Sequence, residues 1–306
     1  MDFGPEISDV IVDYDIETLE RKPVYKQRAI SVFKDIGNNR AAKIVSRIPH
    51  TNGILDAQIV DKLLLRSHYE LQRVSELMEH GRRVADIMQP MVVAIQSQSR
   101  DKRPIRIVDI GCGPGFVIRW LAASKLLTNV ELVGVDYNAA FIHEAQRLAS
   151  EERLACTFEV ANGFTLKKPA DIFISTGVLH HFRDEHLRTF FAQHERGHAQ
   201  AFAHFDFQPT PATPIGSWLF HEILMREELS RHDGVLSAVR AHHADFLLDS
   251  ATSALPSFRC AIYGAQFWTL PVPRVLHSVI GLHPNLCESF AKNLGARATM
   301  LGSFKP

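Results

Sequence analysis

The chain has 306 residues, with 34 Lys+Arg against 34 Asp+Glu, a formal net charge of +0 and an apolar share of 46%. That balance gives no electrostatic reason to expect a polyanion or an anionic surface as the main partner, so neither nucleic acid nor a membrane is expected. The length and apolar share allow a large α/β domain with an accessory segment.

Cys112, Cys156, Cys260 and Cys287 are far apart and include no C-x-x-C pair, which argues against a disulfide framework or a zinc site. The first residues lack a basic start and an apolar run, and nothing later is long and apolar enough to span a bilayer. A cytoplasmic location is expected.

In chain order, residues 1–24 are acidic and broken by Pro5 and Pro23, which predicts an extended arm. From Tyr25 to about Ile95 the pattern is helical: Leu63, Leu64, His68, Leu71, Val74, Leu77 and Met78 recur at three- and four-residue steps, punctuated by Asn52-Gly53 and Pro90. A packed helical layer, a lid over a substrate and a homodimer surface all fit that pattern. After a linker over 97–106, strands and helices alternate as in a parallel sheet with helices on both faces. Strands are expected at 105–110, 130–136, 156–160, 171–175 and 199–207, with helices at 116–124 and 139–151 and around Phe190. In open sheets of this kind ligands bind beyond the carboxyl ends of the strands, where Asp109, Asp136, Asn162, Thr176 and Asp206 fall.

The stretch Asp109-Ile110-Gly111-Cys112-Gly113-Pro114-Gly115 couples a strand end to a glycine-rich turn and a helix start. A dinucleotide turn wants G-x-G-x-x-G; here the spacing is G-x-G-x-G, led by an acidic residue. In this the chain resembles the class I S-adenosylmethionine-dependent methyltransferases. The likeness continues through Val133-Gly134-Val135-Asp136-Tyr137, Ala161-Asn162-Gly163 and Ser175-Thr176-Gly177-Val178-Leu179-His180-His181-Phe182, about a third of the chain.

The resemblance implies a Rossmann-like methyltransferase fold: a seven-stranded, mostly parallel sheet with helices on both faces, here with an N-terminal helical extension. The implied division is an arm over 1–24, a helical extension or lid over 25–100, and a methyltransferase domain over 101–306 with acceptor-site insertions around 208–250. The cofactor implied is S-adenosylmethionine, leaving as S-adenosylhomocysteine. Gly111, Gly113 and Gly115 would face its methionine part, with Asp109 near the ammonium. Asp136 would accept from the ribose hydroxyls, Tyr137 would lie against the nucleoside, Asn162 and Gly163 would meet the adenine edge, and Thr176 would line the methyl channel.

Ser175-Thr176-Gly177-Val178 replaces the Asn/Asp-Pro-Pro-aromatic tetrad of many base and glutamine methyltransferases, which favours a small-molecule acceptor. His181 or His180 is the candidate general base, because imidazole titrates near neutral pH. The alternatives are a peptide or protein side chain as acceptor, or a non-catalytic partner that keeps the fold.

His194-Glu195-Arg196-Gly197-His198 matches the zinc-protease pattern H-E-x-x-H, but Gly197 reads as a helix stop with a strand just after, so no metal is expected. Asp13-Tyr14-Asp15 lacks the glycine and glutamate of a calcium loop and reads as a solvated acidic turn. Beyond the proline-rich run after Gln208, a helix is expected over 215–229. Trp218 and Leu219 there are candidates for core, and Trp218, Phe220, His221, Met225 and Arg226 for the acceptor pocket. Arg231-His232-Asp233-Gly234 reads as a turn, and 258–270 with Pro271 and Pro273 as the closing antiparallel pair.

Overall fold

The computed structural model describes residues 4–99, 103–210, 213–264 and 276–305. The chain divides into two compact units, Met1–Ser75 with Thr210–Arg240, and Glu76–Pro209 with Ala241–Pro306. These boundaries differ from the division expected at residues 24 and 100. The helix His80–Gln98 buries Val84, Ile87, Met88 and Met91 in the core of the second unit, and 210–240 joins the first.

The second unit holds the sheet. Its strands are β1 (Ile105–Ile110), β2 (Val130–Asp136), β3 (Thr157–Val160), β4 (Ile172–Thr176), β5 (Ala201–Phe207), β6 (Arg259–Tyr263) and β7 (Leu276–Leu282). Their spatial order is β3-β2-β1-β4-β5-β7-β6, with β7 antiparallel to both neighbours and the remaining pairs parallel. This is the seven-stranded, mostly parallel sheet expected. Its inner strands bury nearly every residue, as Val108, Ile172, Phe173, Ile174 and Ala203 do, because helices cover both faces.

The helices of this unit are α1 (His80–Gln98), α2 (Phe116–Ser124), α3 (Ala139–Glu151), α4 (Asp184–Arg196), α5 (Ala244–Ala254) and α6 (Cys287–Leu294). One apolar cluster joins α1, α2, α3 and α6 to Ile107, Ile174, Ala203 and Ile280; the other joins α4 and α5 to Val108, Phe173, Phe202 and Val279. The expected break at Pro90 is absent, and α1 runs through it. The closing antiparallel pair forms from β6 and β7, while the part of the expected strand at 265–270, with Pro271 and Pro273, lies outside the described residues.

The first unit is helical, and it corrects three expectations. Residues 1–24 are not simply an extended arm: Ile7–Ile11 is a helix whose Ile7 and Ile11 are buried. Its N-terminus is capped from a distance, because the Asp233 carboxylate accepts from the N–H of Ile7 (2.8 Å) and Ser8 (2.9 Å). Arg231-His232-Asp233-Gly234 is not a turn but lies inside the helix Glu228–Arg240. Gly234 serves there for close approach, since a Cβ would stand 2.1 Å from Nε2 of His221.

The third correction concerns the helix expected over 215–229. It is two helices, Thr213–Leu224 and Glu228–Arg240, parted where the buried Glu70 carboxylate accepts from the N–H of Arg226 (2.7 Å) and Glu227 (3.2 Å). Trp218 and Leu219 are not core, being 51% and 52% exposed. Asp15 makes the acidic turn expected, accepting from the N–H of Glu17 and Thr18; those N–H groups and the Lys22 ammonium hold its carboxyl below the usual range. No helix among the described residues is long and apolar enough to cross a membrane.

Candidate active site

β1 and β2 lie side by side, so their carboxyl ends bring Asp109 and Asp136 to one crevice. The turn after β1 is tied down by the N–H groups of Gly111 and Cys112, which both donate to the Val135 carbonyl (2.8 and 3.1 Å). Gly111, Gly113 and Gly115 have φ of 69°, 53° and 77°, a region closed to most side chains. At Gly115, which caps α2, a Cβ would also stand 2.3 Å from the Phe158 ring, so no other residue fits.

Both carboxylates are buried. Asp136 Oδ2 accepts from the Gly113 N–H (3.0 Å) and Oδ1 from the Asn138 N–H (2.8 Å), so the carboxylate braces the glycine turn. Burial pushes its carboxyl up to about 6, against the pull of the Asn138, Gly113 and Tyr137 N–H groups. Asp109 is 2% exposed and its Oδ1 has no hydrogen-bond partner; burial, and then the charge of Asp136, hold it well above the usual carboxylate range. Asn138 caps α3, accepting from the Ala140 N–H.

The other expected cofactor residues sit along the same edge. Tyr137, at 52% exposed, follows β2, and Asn162 follows β3 with its Oδ1 accepting from the Phe164 N–H (2.9 Å). A Cβ on Gly163 would meet Ile110 at 2.4 Å, so this glycine lets the β3 loop pack against β1. Thr176 ends β4 with its hydroxyl buried and unpartnered.

After β4 the chain makes a single 3-10 turn, Leu179–His181, held from β5. The Asp206 carboxylate accepts from the His180 N–H (2.8 Å) and faces His180 Nδ1 (2.8 Å), while also accepting from the Phe207 N–H (2.7 Å). Burial raises the Asp206 carboxyl, but the His180 ring and these N–H groups more than offset it and leave it below its ordinary value. A carboxylate at Nδ1 fixes the tautomer with the proton there, which makes Nε2 the basic nitrogen. The His181 ring lies against that of His180, with centroids 4.4 Å apart and planes tilted by 35°.

The H-E-x-x-H histidines are not a metal pair. His194 is fully buried with Nε2 2.6 Å from His204 Nε2, and His204 Nδ1 is 2.8 Å from the Ser175 hydroxyl. His198 lies past the end of α4 at φ 56°, off the helical face. Burial pushes the His194 imidazole down to about 3 and His204 well below its ordinary value, so this chain of polar groups is neutral.

Asp206 was visible in the sequence as a strand-end acid, but its bond to His180 depends on the pairing of β4 with β5, which spacing alone does not reveal. Phe220, His221, Met225 and Arg226 belong to the first unit. There Met225 is core and His221 Nδ1 faces the Ser217 carbonyl at 2.7 Å.

Residues 107–198 match the family model described as a methyltransferase domain. No curated protein matches the chain. Among solved structures, the plantazolicin methyltransferase BamL, in complex with a triazolic desmethylPZN analog and SAH, is similar at 15% identity and a TM-score of 0.49, covering 73% of this chain and 90% of its own. Magnesium protoporphyrin IX methyltransferase (ChlM) from Synechocystis PCC 6803, with bound SAH, is similar at 18% identity and a TM-score of 0.42, covering 84% and 99%. Residues 107–198 thus match a methyltransferase domain, and they lie within the seven-stranded sheet of order β3-β2-β1-β4-β5-β7-β6.

Proposed function

We propose that this chain moves a methyl group from S-adenosylmethionine to a small organic acceptor. The observation that carries the cofactor part is the crevice itself: two buried carboxylates, one with an unpartnered oxygen, beside three glycines held at positive φ. A buried carboxylate without a partner is costly, and a cationic, hydroxyl-bearing ligand relieves that cost. When bound, S-adenosylmethionine supplies a methyl group on a positively charged sulfonium, activated toward displacement.

Asp109 Oδ1 would accept from the ammonium of the methionine part, and Asp136 from the ribose hydroxyls through lone pairs its backbone donors leave over. Tyr137 and Asn162 would hold the nucleoside. His180, with Nδ1 turned to Asp206, would take the acceptor's proton at Nε2, and the imidazolium formed would be paired with the Asp206 carboxylate. Alignment of acceptor and methyl by such a site contributes up to about 7–11 kcal/mol in intramolecular models, so the base has only to remove the proton as the bond forms.

The test is incubation with methyl-labelled S-adenosylmethionine and a panel of small hydroxy and amino acids, following S-adenosylhomocysteine release and labelled product. Acceptor-dependent release supports the reading. Release with a peptide panel and none with small acceptors would overturn its substrate half.

A further inference from the structure

The face of the sheet beneath α1 changes character at its carboxyl edge. Pairing sets Thr176, Phe205, Ser278 and Tyr263 in one row across β4, β5, β7 and β6. Two residues further in on the same face, the row is Ile174, Ala203, Ile280 and Ala261, all fully buried and apolar. Three hydroxyl-bearing side chains, Thr176, Ser278 and Tyr263, thus replace aliphatic ones in the last row, and that row lines a cavity with His80 and Arg83 of α1.

Three polar side chains of this cavity have nothing to bind. Ser278 is 1% exposed and its Oγ is unpartnered; His80 is 7% exposed and neither ring nitrogen has a partner; the Thr176 hydroxyl is unpartnered as well. Buried polar groups are nearly always satisfied, so a cluster of orphans around one cavity marks a place where a ligand supplies the missing bonds. Arg83 spends Nε on the Met78 carbonyl (3.0 Å) and makes no ion pair among the described residues, because the nearby Asp86 is taken by Arg297. Burial and the Arg83 charge push the His80 imidazole down to about 4, so at neutral pH it offers one N–H donor.

We propose that this cavity is the anchoring subsite for a carboxylate on the acceptor, received by Arg83, Ser278 and His80, with Val84, Phe205 and Met300 against its apolar body. The proposal rests on the methyltransferase reading and narrows it to acidic acceptors. Two neutral donors and a guanidinium suit an anion with several lone pairs, whereas an ammonium or a neutral amide would leave the Arg83 charge unmatched. Thr176 ties the subsite to the chemistry, because β4 ends there beside β1 and leads directly into the His180 turn.

The same carboxylate chemistry is present in the methionine part of the cofactor, and the experiment separates the two. Benzoate and its neutral isostere benzamide are titrated calorimetrically into the S-adenosylhomocysteine-loaded protein and into the ligand-free protein. The expected result is saturable benzoate binding at least ten-fold tighter than benzamide. Arg83→Gln and Ser278→Ala should each weaken benzoate about ten-fold while leaving S-adenosylhomocysteine affinity within two-fold. Ser278→Ala should also raise the unfolding midpoint, because it removes a buried hydroxyl that has no partner, where a merely structural serine would lower it.

Equal binding of benzoate and benzamide, no saturable benzoate binding, or an Arg83→Gln variant that loses S-adenosylhomocysteine as strongly as benzoate would each overturn the proposal. Selective benzoate binding by a protein that binds no S-adenosylhomocysteine would instead refute the cofactor reading and leave an anion site standing.

Discussion

Asp136→Asn probes the cofactor crevice without needing an acceptor. In the folded protein burial raises the Asp136 carboxyl from 3.8 to about 6, so between those values the native state holds a proton that the unfolded chain releases. Wild-type stability from this group is therefore full below pH 3.8 and is lost as pH rises through 6. Two pKa units correspond to about 3 kcal/mol. Asparagine carries no charge and removes that loss, but it has one acceptor oxygen where the carboxylate accepts from both Gly113 and Asn138. Losing one of those bonds costs about 1–3 kcal/mol at every pH.

The variant should thus be less stable than wild type at pH 4, gain about 2 kcal/mol relative to it by pH 6.5, and stay nearly level above. Urea unfolding of both proteins across that range measures the difference, in which contributions common to the two cancel. In the same samples S-adenosylhomocysteine affinity should fall about ten-fold or more, the worth of one charge-assisted hydrogen bond. A stability difference independent of pH, or unchanged affinity, would refute the reasoning.

Asp206→Asn should keep cofactor affinity yet lower turnover by about 10²–10⁴, the usual worth of general-base catalysis; parallel loss of both would make Asp206 a scaffold residue. His194→Leu tests the buried histidine pair. The native imidazole is pushed from 6.5 down to about 3, so its stabilising effect is present above pH 6.5 and lost as pH falls toward 3. The stability gap between wild type and variant should narrow by about 2 kcal/mol from pH 6.5 to 4.5, and a gap that does not change with pH contradicts it. Gly115→Ala should destabilise by about 2–4 kcal/mol, because it adds a clash with Phe158 to the positive-φ cost, whereas Gly37→Ala, at φ 75° with nothing within 4 Å of its Cβ, should cost only about 1–2 kcal/mol; equal unfolding free energies for the two variants would rule out the packing explanation.

The sheet's leading half was legible because its signals are local. Val108 and its β-branched neighbours and the glycines of the turn each state their element within a few residues, and α2 and α3 begin and end where the pattern places them. The misread elements depend on distant partners. The helix Ile7–Ile11 is only five residues long, and beside the local bond from the Glu6 N–H to Asp9 its first N–H groups are held by Asp233, 226 residues from Ile7, so its stability comes from a distant partner. Gly234 looks like a turn residue until His221 is seen packed on it.

The same holds for the site. Asp109 and the glycines lie on one continuous motif, and Asp136 ends the next strand, which pairs in parallel with the first and so brings them together in the crevice. The Asp206–His180 pair and the row Thr176, Phe205, Ser278 and Tyr263 exist only through strand pairing, including the antiparallel return of β7, which no local spacing encodes.

The most direct test of the account is calorimetric titration of the purified chain with S-adenosylhomocysteine and S-adenosylmethionine, with a nicotinamide dinucleotide as control. The crevice of Asp109, Asp136 and the three positive-φ glycines predicts saturable binding of the first two, weakened by Asp109→Asn, and none of the control. Binding of the dinucleotide, or of no ligand at all, would contradict it.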